Sequence, residues 1–527
     1  MKTRIFLIAL IVLTILPQFS AQSWWDNTYS YKRLDINRIT IPIDNVGGLD
    51  YLNSGTLWDY NSAEHYIVFD QGLWVVGKIN DQIHLALKQW DHTYSPGPII
   101  NNDAAMNVHP EDSAKYRVYK IGLKDTLNSG RDYKEWPEEF GAPINEFGYP
   151  LVYNGQTVWT VYNAIDSSLE SRKSWNSFDT LPIFPVEIQS IVYSTNPAQL
   201  ELLSDVVFFE WIVINNGLER IDSAYFGLWT DIDFNNTNAN YPAVDSTIQL
   251  GYCWSNENNG GYNFIPLSVG YILKYGPIIQ SPGDSAIFNG LKKADFKNLN
   301  LTSFHGIGDD SSINPLVRPA SSIVDAWNIA RGFDADGNVI IDPTTGLPTK
   351  FPFSGDPVTN TGYLYSYGVG GGAGFVLFSG PLNLAQQDTQ WIMAALLVST
   401  GIDSKDAIVN LREKADILQS MSYDQLVKKH SFVPKIVLPP QEFYLSQNYP
   451  NPFNSETKIL FDIPYKTVVS ISIFDVLGSK VSTLLKEEYS AGEYEIRFNG
   501  DRFASGVYFY QLIAGSFIQT KKMILLK

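Results

Sequence analysis

Two acidic loops in this 527-residue chain carry the side chains best suited to chemistry. The first, Asp231-Ile-Asp233-Phe-Asn235-Asn236, follows directly on an apolar run, with Asp245 downstream. Carboxylates and amides at alternating positions can converge on a hard cation such as Ca2+, which takes six to eight oxygen ligands. The second, Asp334-Ala-Asp336-Gly337-Asn338 with Asp342 after it, has the same alternation. Its glycine stands too early, however, and no Glu closes it, so it lacks the full ligand spacing of a helix–loop–helix calcium site. Asp and Asn also populate plain turns by bonding their own backbone, and Asp336-Gly337 is a good hairpin turn. Calcium and an ordinary turn therefore both stand for each loop.

Other reactive types are sparse or scattered. The six histidines (65, 84, 92, 109, 305 and 430) fall in no zinc spacing, and no Gly-x-Ser-x-Gly elbow exists. His305, beside Asp309 and Asp310, reads as solvated or structural. Cys253, the single cysteine, lies in the apolar flank Gly-Tyr-Cys-Trp and reads as a buried thiol, so no intrachain disulfide forms. The run Gly368 to Gly374 lacks the Lys-Ser/Thr and the helix of a phosphate loop and reads as a mobile loop. Trp24 with Trp25, or Trp58 with Tyr60, could present a sugar-stacking platform, although such rings are more often core. No local pattern nominates a pair of catalytic carboxylates.

The elements that must position these groups read mainly as strands. Aromatics at 14% favour pleated surfaces. The clearest unit is Asp205 to Ile214, Asn215-Asn216-Gly217 and Ser223 to Asp233, which the pattern predicts to be a hairpin. Gly72 to Gly77 followed by Lys78 to Asp81 reads as a strand and turn. A helix is expected near 404–420, capped by Asp403 or Ser404, with Ala407, Ile408, Leu411, Ala415 and Leu418 on one face.

The ends are modular. Lys2 and Arg4, the apolar run Ile5 to Leu16, and then Ser20 and Ala21 have the order of a secretory signal peptide, assigned to 1–22. A central β-rich region, 23–427, precedes a proline-containing linker, 428–441. From 442 to 527, alternating segments such as Ile459/Phe461/Ile463 and Val469/Ile471/Ile473, separated by turns, predict about seven short strands in an Ig-like sandwich. The net charge of −17 lies wholly ahead of Glu442, since nine acids and nine bases balance after it. An acidic surface of this size repels phosphate backbones and argues against nucleic-acid binding.

Four segments of the tail carry a specific likeness. They are Gln447-Asn-Tyr449-Pro450-Asn451-Pro452-Phe453-Asn454, Phe474 to Gly478, Ala504-Ser-Gly506-Val-Tyr-Phe-Tyr510, and Lys521-Lys522-Met to Lys527 at the chain end. In order and spacing they resemble the type A C-terminal sorting domain of type IX secretion substrates from Bacteroidota. The resemblance implies Sec export, recognition by the outer-membrane translocon, removal of the tail, and release or attachment to surface lipopolysaccharide. The expected protein is thus mainly β and extracellular or on the outer cell surface. Its leading role is structural, adhesive or glycan-binding, with calcium as a possible ion. A secreted hydrolase of polysaccharide or protein, and a self-assembling filament or surface-layer subunit, are the alternatives.

Overall fold

The computed structural model describes residues 30–49, 55–90, 92–127, 130–169, 181–197, 200–234, 240–255, 265–308, 312–367, 373–431, 440 and 442–527. The signal segment, Trp24, Trp25, Asn235, Asp309, Asp310, the glycines from 368 to 372 and most of the linker lie outside them. About 50% of the structure is strand and 11% helix, so the protein is mainly β. The chain divides into two compact units, 1–432 and 433–527.

Two antiparallel sheets organise the first unit. The large one runs Tyr119–Gly122, Gln156–Asn163, Val186–Ser194, Val206–Asn215, Thr389–Thr400, Leu267–Tyr275, Leu250–Ser255 and Asn240–Asp245, with Ser95–Pro96 paired at one side. The small one runs Ser303–Ile307, Ala373–Leu384, Ile221–Ile232, Asp70–Ile79 and Gln82–Ala86. Their facing sides share one core, in which Val207, Phe209, Trp211 and Val213 oppose Leu73, Val75, Phe226 and Leu377. Both outer faces are covered as well. The helix Ser404–Ser420 lays Ile408, Leu411, Ala415 and Leu418 over Phe208, Trp391, Met393 and Ala395. A shorter helix, Ile323–Ala330, covers Trp74, Trp229, Val376 and Phe378 on the other side. The result is four layers: helix, sheet, sheet, helix.

This layering explains the uninterrupted apolar runs. A strand alternates only when one face meets water; with both faces buried, every position is selected for apolar packing. It also overturns the hairpin expected at 205–233. Val206–Asn215 pairs with Val186–Ser194 and Thr389–Thr400, whereas Ile221–Ile232 pairs with Asp70–Ile79 and Ala373–Leu384. The turn is an arch that carries the chain from one sheet to the other. The segment 385–388 forms a second arch alongside, because Ala373–Leu384 and Thr389–Thr400 also lie in different sheets.

Asn215 clamps the two arches. Its Nδ2 donates to the carbonyls of Glu219, Leu384 and Ala385 at 2.9, 3.1 and 3.1 Å, and its Oδ1 accepts from Gly217 N at 3.0 Å. Asn-Gly chemistry was legible; which partner strand it served was not.

Other elements fall where the pattern places them. Asp70–Ile79 turns through Asn80 and Asp81, both with positive φ, into Gln82–Ala86. Asp403 caps the long helix by accepting from Asp406 N at 2.8 Å. The first unit extends past residue 427, into the expected linker. Lys429 and His430 pair with Tyr153 and Val152, and Asn154 exchanges bonds with the backbone of Lys428 at 2.7 Å. Residues 428–431 are thus fastened to the first unit rather than being spacer.

The second unit is a seven-stranded antiparallel sandwich. One sheet holds Tyr444–Leu445, Glu456–Ile463 and Gly492–Asn499; the other holds Lys480–Tyr489, Thr467–Phe474, Gly506–Ala514 and Phe517–Leu525. Here the strands do alternate: Ile459, Phe461 and Ile463 are buried with Val469, Ile471, Ile473, Tyr510 and Leu512, while the residues between them are partly or fully exposed.

Candidate binding cleft and sorting domain

Three elements of the first unit meet around a cleft of about 380 Å3. A further four-stranded sheet, Tyr31–Leu34, Ile39–Asp44, Thr56–Tyr60 and Ala63–Val68, contributes Trp58 and Tyr60, with Arg38 in the bend between its first two strands; the loop before Val206–Asn215 contributes Asp205; the long helix contributes Asn410, Glu413, Lys414 and Ile417. Those helix positions recur at three- and four-residue spacing, which places them on one face. Trp58 and Tyr60 stack with centroids 4.7 Å apart and planes 12° apart. Trp58 is itself buried, so Tyr60 is the ring that borders the opening.

Asp205 organises the floor. Trp58 Nε1 donates to its Oδ1 at 2.9 Å, and Arg38 Nη2 donates to its Oδ2 at 2.8 Å. Lys414 Nζ lies 3.4 Å from Oδ2 and donates to the Val398 carbonyl at 2.6 Å. Burial pushes the Lys414 ammonium below the usual lysine value, and the Asp205 carboxylate pulls it partly back. The floor is therefore a fixed ionic network beneath a ring. Glu413 is exposed and free of that network. An aromatic face beside fixed polar groups suits a ligand with apolar ring faces and a rim of hydroxyls.

A second open groove, about 700 Å3, lies under the hairpin Ile278–Phe288/Leu291–Asn298. Its one ring, Phe296, is capped by Lys293 Nζ at 4.1 Å and is not free for stacking.

The acidic residues of the two loops singled out for calcium make local contacts, with Asn235 of the first loop outside the described residues. Asp334 accepts from Asn338 N at 2.7 Å and Asn338 Nδ2 at 3.1 Å, closing the turn at Gly337. Asp336 pairs with Arg318 at 2.8 Å. Asp342 accepts from Thr344 N and Oγ1, both at 2.7 Å, and Asp245 does the same with Thr247 at 3.1 and 2.6 Å. Asp231 accepts from Trp90 Nε1 at 2.8 Å. Burial pushes the Asp233 carboxyl up to about 6. Among the described residues, no group of three or more His, Cys, Asp or Glu is placed to hold a metal ion.

His305 is buried; its Nε2 donates to the Arg318 carbonyl at 2.8 Å, and burial holds its pKa down to about 4. Cys253 is buried in a strand, and burial raises its thiol well above the ordinary range. Sequence reasoning missed Glu210. This wholly buried carboxylate accepts from Tyr193 and Tyr423 hydroxyls at 2.7 and 3.0 Å and from Trp391 Nε1 at 3.0 Å. Burial raises its pKa. Its only signal was a single acid inside an apolar strand.

In the tail, the motif Tyr449 to Phe453 covers one edge of the last strand. Phe453 is core and exchanges backbone bonds of 2.9 Å with Ile524 and Leu526, and Asn451 Oδ1 accepts from Ile524 N at 2.9 Å. Pro450 and Pro452 each follow a cis peptide bond. Tyr449 is 80% exposed. Gly506 is not in a left-handed conformation, and a methyl group added there would meet nothing within 4 Å. Lys521 and Lys522 lie on the final strand, Lys522 exposed.

Residues 447–526 match the secretion system C-terminal sorting domain family. The tail is therefore a sorting domain, and the chain is a substrate of the type IX secretion system, bound for the cell surface or beyond. Among the described residues, no helix is long and apolar enough to cross a membrane. No curated protein matches the chain. Among solved structures, it is similar to a polysaccharide lyase (10% identity, 86% of this chain and 47% of that one, TM-score 0.20). It is also similar to dimeric latent PorU from Porphyromonas gingivalis (11%, 95% and 34%, 0.14). A third is a heparan sulfate lyase HepC mutant from Pedobacter heparinus (8%, 83% and 42%, 0.17). The chain spans less than half the length of each.

Proposed function

We propose that the first unit is a glycan-binding surface passenger, exported behind a cleaved signal peptide, whose ligand lies in the cleft bordered by Tyr60. The observation that carries this reading is the Trp58–Tyr60 stack over the Arg38–Asp205–Lys414 network. The network fixes Asp205 among a guanidinium, an ammonium and an indole, so the polar floor of the cleft is held in place beneath the ring. Glu413 at the rim adds an acceptor. Surface glycan or lipopolysaccharide of the cell that exports the chain is the accessible ligand class.

The test is a polysaccharide binding panel with the purified chain. Tyr60→Ala is expected to weaken binding about tenfold by removing the stacking face, with Glu413→Gln a smaller loss and both thermal midpoints unchanged. Equal binding by Tyr60→Ala, or no polysaccharide bound by the natural chain, overturns the reading. Release of new reducing ends, lost in Glu413→Gln, would replace it with a hydrolase.

A further inference from the structure

The outward face of the tail's four-stranded sheet carries an ordered row of side chains. Pairing places Lys480 opposite Phe474, Phe474 opposite Phe509, and Phe509 opposite Lys522. Their neighbours Ile473, Tyr510 and Met523 are buried in the core, so Phe474, Phe509 and Lys522 point the other way, because successive strand residues alternate; Lys480 is paired with Phe474 across a bulge. Two half-buried rings thus lie side by side between two exposed ammonium groups, across four strands or about 14 Å. Lys486, opposite the outward Ser470, adds a third cation.

None of the three lysines makes an ion pair among the described residues. Asp475 in the adjoining turn directs its Oδ1 to the amides of Leu477 and Ser479, and Glu488 farther along is paired with Lys466 at 2.9 Å. Three of the four row residues fall in the segments that carry the likeness to sorting domains. Gly506, at the start of the strand bearing Phe509, has no steric reason to be glycine, and its bareness leaves that end of the sheet open to close approach.

We infer that this face is the surface by which the tail docks on the secretion machinery, and that its partner is a flat protein surface with acidic groups flanking an apolar patch. The inference rests on the tail's being a sorting domain and adds which face is read. Charge complementarity selects an anionic partner. A protein fits better than a lipid bilayer, because the two rings are half-buried between the flanking side chains and are not fully exposed as membrane anchors are. The balanced charge of the tail also gives little pull toward anionic lipid.

The experiment expresses full-length chains in a type IX-competent bacterium and measures the extracellular fraction. Lys480→Glu with Lys522→Glu is expected to lower it at least tenfold, with the chain retained in the periplasm and the thermal midpoint of the purified chain unchanged. Lys480→Arg with Lys522→Arg should be secreted normally, as should Arg502→Glu, an exposed charge reversal off this face. If the Glu pair proves destabilised, Lys480→Gln with Lys522→Gln decides by the same readout. Normal secretion of the folded charge-reversed chain overturns the docking face. A chain lacking 442–527 that still reaches the medium instead overturns the sorting reading. Charge-dependent co-sedimentation of the full chain with phosphatidylglycerol vesicles, lost in the Glu pair, would assign the face to a membrane and also overturn the inference.

Discussion

The two units are both antiparallel β structures, yet their strands obey different rules. In the tail, Leu460 is 50% exposed while Phe461 beside it is 1% exposed. In the first unit, the neighbours Phe208 and Phe209 are each 0% exposed, because one faces the helix Ser404–Ser420 and the other faces the second sheet. A sandwich with wet outer faces writes its burial into the sequence as a period of two; a four-layer stack erases that period. The tail stabilises one small core of its own, whereas the first unit builds three.

The most forceful way to break this comparison is substitution at adjacent positions. Phe208→Ala and Phe209→Ala are each expected to destabilise the first unit by about 3–5 kcal/mol, the cost of a buried cavity. Phe461→Ala should cost the tail about as much, and Leu460→Ala less than about 0.5 kcal/mol. Chemical denaturation of the full chain, followed separately for each unit, checks all four; a cheap member of the 208/209 pair would show that one outer face is not closed.

The arch clamp gives the next effect. Asn215→Ala strands several carbonyls at the crossing between sheets and is expected to cost on the order of 3 kcal/mol. A true surface hairpin would lose well under about 1 kcal/mol at an equivalent turn, so the same denaturation curve separates the two topologies.

The smallest effect sharpens the view of the acidic loops. Asp233 has its folded pKa raised from 3.8 to about 6, so the protonated form is favoured in the folded state. Its stability contribution is fully present below the unfolded value and is lost as pH rises through about 6. Asp233→Asn should match the natural chain at pH about 3.5 and exceed it in thermal midpoint above about pH 6.5. Chelator and millimolar calcium are expected to give the same midpoint at neutral pH; a rise with calcium would return Asp231 and Asp233 to an ion-binding role.

The helices show what sequence period can and cannot convey. The long helix was legible because Asp403 caps it and its apolar positions recur every three or four residues over a wet outer face. Ile323–Ala330 went unread because it spans eight residues, and six of them are buried, which leaves little polar contrast. Glu210 escaped for a related reason: a lone acid in an apolar strand carries no sign of the two tyrosines and the tryptophan, distant in sequence, that satisfy it.

The tail's strands, its motif segments and the long helix's cap and stripe were determined by local sequence, because each depends on a period, a turn residue or a contiguous motif. The pairing of Asp205 with Arg38, Trp58 and Lys414, and the crossing of the chain from one sheet to the other at Asn215, were decided only by tertiary structure. Both depend on which buried faces meet, and a strand buried on both sides carries no local mark of its neighbours.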